Sequence, residues 1–89
     1  MNNWTNSGIK TAKQLYNGEV EKWSNRVCII ILELELKSGY YIVFVKNGTR
    51  ITDTKSYSFE ALVTARVFMD KVKNKPEHAE QIYRLLCEE

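Results

Sequence analysis

The 89 residues are 44% apolar and 27% charged, which fits one globular domain and excludes a chain disordered throughout. A chain of this length buries only about 60–65% of its unfolded surface, so its core is small. The formal charge of +2 is too low to argue for nucleic acid by electrostatics alone. The longest apolar run, Val27 to Leu32, falls far short of the roughly 20 residues that cross a bilayer.

The N-terminus, Met1-Asn2-Asn3-Trp4-Thr5-Asn6, is polar and uncharged, with no basic stretch leading into an apolar one. Cys28 and Cys87 are far apart and form no CxxC pair, so they read as reduced thiols. The expected location is cytoplasmic. Residues 1–25 admit two readings. In the preferred one, Ser7 caps a short helix through Ile9, Ala12, Leu15 and Tyr16, closed by Gly18. In the other, Asn17-Gly18 is a hairpin turn between Lys13–Tyr16 and Glu19–Trp23.

From Arg26 to Lys37 the alternation is clear: Cys28, Ile30, Leu32, Leu34 and Leu36 share one face, while Val27, Ile29, Ile31, Glu33 and Glu35 share the other. That period of two predicts a strand, stopped by Ser38-Gly39. Tyr40 to Lys46 is a second strand, Asn47-Gly48 a turn, and Thr49 to Tyr57 a third strand, all in an antiparallel meander. If both loops held two residues, Ile51 would face away from the leucines. A three-residue loop with a G1 bulge, at Lys37-Ser38-Gly39 or Lys46-Asn47-Gly48, returns it to the core. Ser58 then caps a helix to about Asn74, with Leu62, Ala65, Met69 and Val72 on one face at core spacing and Ala61 and Phe68 beside them. Pro76 opens a second helix whose stripe is Ala79, Ile82, Tyr83 and Leu86. The fold class expected is α+β: a three- to four-stranded antiparallel meander packed by two C-terminal helices, with a short N-terminal helix as the preferred addition.

No residue pattern points to catalysis, a metal or a cofactor. His78 is a lone histidine with no set of further ligands, in an ordinary charged first turn. Cys28 sits within an apolar strand face, where a thiol packs rather than reacts. Glu33 and Glu35 read as a solvated strand face rather than an acid–base pair. Asn47-Gly48 lacks the spacing of a phosphate loop, and Asn47-Gly48-Thr49 as a glycosylation sequon carries no weight without a secretion signal.

Binding is the remaining class. The meander has more apolar area than two helices on one face can cover, and its second face must meet Trp4, Ile9 and Trp23, a second copy, or a protein partner. The third strand is an open edge, which Arg50, Asp53 and Lys55 either offer to a partner strand or protect. Tyr41, Arg50 and Tyr57 are the candidate partner anchors, because Tyr and Arg are enriched in binding hot spots. The alternative is a nucleic-acid accessory protein using Lys37, Lys46, Arg50 and Lys55 among the sheet aromatics.

With an N-terminal helix, the element order resembles a double-stranded RNA-binding domain. The stretch Ser58-Phe59-Glu60-Ala61-Leu62, however, has no lysine and carries an acid where that family meets phosphate. In general character, with its small size and Asn/Lys-rich composition, the chain is similar to small phage and mobile-element inhibitors, anti-CRISPR proteins among them. That likeness implies a non-enzymatic, anti-defence protein that sterically blocks a host nucleic-acid-handling complex.

Overall fold

A computed structural model of the chain describes residues 4–9, 19–48 and 50–87. Five described strands follow one another: β1 Thr5–Ile9, β2 Glu19–Ser24, β3 Cys28–Leu34, β4 Tyr41–Asn47 and β5 Thr54–Phe59. Each is antiparallel to the next, in the order β1-β2-β3-β4-β5. Helices α1, Leu62–Asn74, and α2, Ala79–Cys87, come last, separated by a 3-10 turn at Pro76–His78. The α+β class and the antiparallel meander with two C-terminal helices are therefore as expected, with five described strands where three to four were expected and with Thr5–Ile9 a strand rather than part of a helix.

Register decides which side chains reach the helices. Ile30 lies opposite Trp23 and Val45, and Leu32 opposite Glu21 and Val43. Across β5, Val43 meets Tyr57 and Tyr41 meets Phe59. Side chains of one row share a face, so these residues form the floor of the core. Cys28, Ile30, Leu32, Val43, Val45, Tyr57 and Phe59 are all buried there. Onto them α1 sets Ala65, Phe68, Met69 and Val72 at the spacing of one helix face. α2 adds Ala79, with Ile82, Tyr83 and Leu86 packed at the margin. Phe68 is the hub of the aromatic packing: its ring centroid lies 5.0 Å from Tyr57, 5.1 Å from Phe59 and 6.0 Å from Tyr83. Full burial of side chains such as Ile30 and Leu32 contributes about 1.5–3 kcal/mol each.

The turns correct several expectations. Thr5–Ile9 is extended and pairs with β2, and Ser7 falls where the register shifts between Asn6 and Gly8, so it caps no helix. The Asn17-Gly18 turn and residues 10–18 as a whole lie outside the described residues. The described strands β1 and β2 precede β3, so the described elements do not follow the α-β-β-β-α order of a double-stranded RNA-binding domain. Asn25 Oδ1 accepts from the backbone N–H groups of Val27 (2.9 Å) and Cys28 (2.8 Å), so the chain turns here and β3 begins at Cys28 rather than Arg26.

The β3–β4 connection is the six-residue stretch Glu35 to Tyr40, closed by Gly39 N donating to Glu35 O (2.8 Å) and Glu35 N to Tyr40 O (2.9 Å). Gly39 takes φ +76°, which a side chain would strain. Leu36 therefore sits in the turn, 66% exposed, and not in the core.

The Asn47-Gly48 step does not close a tight hairpin either. Gly48 N donates to Val27 O (2.9 Å), which ties the end of β4 to the β2–β3 turn. A 3-10 turn at Ile51–Asp53 follows, with Arg50 N donating to Asp53 Oδ2 (3.0 Å), and β5 starts only at Thr54. The three-residue bulged loop is thus replaced by a longer connection. Whether Ile51 reaches the core concerns a side chain outside those described. β5 runs on to Phe59 because Tyr57 and Phe59 alternate into the core. Ser58 is consequently a strand residue, and α1 starts at Leu62 behind an extended Ala61 with no side-chain cap.

Candidate functional site

The alternation that puts Ile30, Leu32, Val43 and Val45 under the helices puts their neighbours on the opposite face. There Ile31 lies opposite Phe44, Glu33 opposite Ile42 and Ile29 opposite Lys46. Ile29, Ile31, Ile42 and Phe44 form a half-buried apolar block on the two inner strands. Lys22 and Ser24 flank it from β2, and Thr54, Ser56 and Ser58 from β5. The apolar centre is thus bordered by hydroxyls, by the amines of Lys22 and Lys46 and by the carboxylate of Glu33, an apolar block inside a polar rim. The tryptophans expected to cover this face lie on the other. Trp23 shares the row of Ile30, and Trp4 packs against the core, its Nε1 donating to Lys73 O (3.0 Å). The Ile9 side chain lies outside the described residues.

A second constellation, which the sequence reading missed, sits on the helical face of β2. Glu21 is 7% exposed, the one polar or charged side chain buried among the described residues. Its Oε2 accepts from Trp23 Nε1 (2.9 Å) and its Oε1 from Arg66 Nε (2.8 Å). Lys73 Nζ stands 3.2 Å from the centroid of the Trp23 ring and 3.6 Å from Asp70 Oδ1. The carboxylate is satisfied by an indole and a guanidinium, as a buried charge requires. The arrangement clamps β2 to α1, and with Trp4 it ties the N-terminal strands to the helical layer. One signal could have found it. Trp23 belongs with the apolar residues, and Glu21, two positions away in the same strand, must share its face.

The sequence-derived anchors do not share one surface. Tyr57 is 7% exposed inside the ring cluster, so the core accounts for it. Tyr41 is half-buried on the same helical side, and Arg50 is exposed in the loop before β5. The four basic residues do not line one track. Lys37 lies in the β3–β4 turn at one end of the sheet. Lys46 and Arg50 lie at the other end, and Lys55, opposite Val45, points to the face away from Lys46. At the β5 edge, the backbone carbonyl of Ser58 accepts from Tyr83 Oη (3.1 Å), while Arg50 and Asp53 precede the strand rather than guard it.

The candidate chemical groups are placed as follows. Burial pushes the Cys28 thiol up to about 11. Tyr57 and Tyr83 are also raised, first by burial. Glu33 stays on the sheet while Glu35 is exposed in the turn, and His78 is exposed. Among the described residues no cluster of three or more His, Cys, Asp or Glu is placed to hold a metal ion. No described helix is long and apolar enough to cross a membrane. No protein-family model, curated protein or solved structure matches the chain.

Proposed function

We propose that the chain is a small protein-binding module that acts by steric occlusion, with no reaction of its own. The observation that carries this reading is the sheet face turned away from the helices, where Ile29, Ile31, Ile42 and Phe44 sit inside a polar rim. At a finer level, we infer an inhibitor of a nucleic-acid-handling complex of the kind that phages and mobile elements encode. Small size and the likeness in general character support that step.

The test is an affinity pull-down of the tagged full chain from bacterial lysate, with and without nuclease. A stoichiometric partner that survives nuclease is expected. Phe44→Ser should lose it, while Val63→Ser, on the exposed outer side of α1, should keep it. Adding the chain to the captured complex should inhibit it in proportion to occupancy. Recovery of nucleic acid, with every protein lost on nuclease treatment, would overturn the reading in favour of a nucleic-acid accessory protein.

A further inference from the structure

The outer side of the helical layer carries a separate feature. Between the C-terminal part of α1 and α2 runs a groove of about 400 Å³, lined by Lys71, Asn74, Lys75, Ile82, Leu85 and Leu86. Its floor is aliphatic. Leu85 is 74% exposed, the most exposed large apolar side chain among the described residues, although α2 is otherwise amphipathic. Its rim is cationic, and among the described residues no acidic one lines it. Lys71 and Lys75 are exposed and form no ion pair among the described residues, whereas Arg84 is occupied by Glu80 at 3.6 Å.

We propose that this groove receives a short acidic amphipathic segment of a partner protein. Aliphatic side chains of the segment would enter between α1 and α2, and its carboxylates would meet Lys71 and Lys75. Helix-in-groove recognition uses apolar anchors at i, i+3/i+4 and i+7 in this way. Charge complementarity selects an acidic occupant. Size selects a short one, because a stable contact between folded copies takes about 20–30 residues a side and this groove offers six lining residues. A broad anionic membrane is disfavoured by Glu77 and Glu80, both exposed around the start of α2. The inference goes beyond the sheet-face reading and does not depend on it.

The test is selection of a random peptide display library on the full-length protein, followed by binding of the winning synthetic peptides by fluorescence anisotropy. Winners are expected to combine aliphatic residues at helical spacing with Asp or Glu. Leu85→Ser should weaken them about tenfold or more, and a Lys71→Glu/Lys75→Glu protein should select basic peptides instead. Leu85 is exposed, so the Leu85→Ser protein should keep the far-UV CD spectrum and melting temperature of the parent. Failure to enrich any peptide, winners without acids, or binding indifferent to these groove variants would overturn the proposal. So would capture by anionic phosphatidylserine vesicles, or dimerisation abolished by Leu85→Ser, in place of peptide binding. Phe44→Ser should leave peptide affinity unchanged, so failure here and failure of the sheet-face reading are separate results.

Discussion

Removing the guanidinium that holds Glu21 tests how the N-terminal strands are fastened. In Arg66→Ala the buried carboxylate keeps only the Trp23 indole as donor. A hydrogen bond to a charged group contributes about 1.5–3 kcal/mol, and stranding a fully buried charge costs about 3–5 kcal/mol. Here the Arg66 side chain is 46% exposed, so water enters when it is removed and resolvates part of the carboxylate. The expected loss is therefore about 1–2 kcal/mol, which for a domain of this size lowers the melting temperature by about 5–15 °C. Urea titration followed by tryptophan fluorescence measures it, with the midpoint falling and the slope unchanged. A double-mutant cycle with Glu21→Gln should return a coupling of about 1 kcal/mol. Replacing both partners together, as Glu21→Met with Arg66→Leu, should cost less than Arg66→Ala alone, because no buried charge is then left unpaired. A coupling below about 0.3 kcal/mol, or a double replacement worse than either single one, would show that the pair is not the clamp described.

Phe68→Ala removes the hub of the aromatic cluster, and a loss of about 3–5 kcal/mol is expected by chemical denaturation, a large share of the stability of so small a domain. Gly48→Ala forces a side chain into φ +133° and against the Asp53 carboxylate. A loss of about 1–3 kcal/mol by thermal melting is expected, and Asp53→Ala alone should cost less. An aromatic disulfide reagent should titrate Cys87 rapidly in the native protein and Cys28 only on unfolding, since Cys87 is exposed and Cys28 buried. The Cys28 thiol is raised from 9.0 to about 11 in the fold, so the neutral form is the stabilised one. Its contribution is complete below pH 9.0 and is lost as pH rises to about 11, by roughly 2–3 kcal/mol. Cys28→Ala should flatten that part of the alkaline stability profile, and an unchanged profile would count against the burial argument.

Much of this architecture is local and was legible in the residues. The alternation from Cys28 to Leu34, the spacing Leu62, Ala65, Met69 and Val72, and Pro76 ahead of α2 each fix an element by a period or a backbone restriction. The errors fall where two local choices were both permissible and a distant partner chose between them. Thr5–Ile9 has little strand character of its own and is extended because β2 offers it a row of backbone donors and acceptors. Asn47-Gly48 is a strong turn signal, yet Gly48 bonds to Val27 and the chain takes a longer path. Ser58 has the chemistry of a helix cap but stays in β5, because Tyr41 and the helices bury Phe59 beyond it.

The surfaces follow the same division. That the meander carries apolar residues on both faces, Ile29 and Ile31 against Ile30 and Leu32, was determined by the sequence alone, since alternation follows from the pleat. Which face the helices cover is a property of the tertiary structure, as is the withdrawal of Tyr57 from any surface. So too are the meeting of Glu21 with Arg66 and the flanking of Ile82, Leu85 and Leu86 by Lys71 and Lys75. Those placements depend on contacts between segments far apart in the chain. Only burial of one common core brings such segments together.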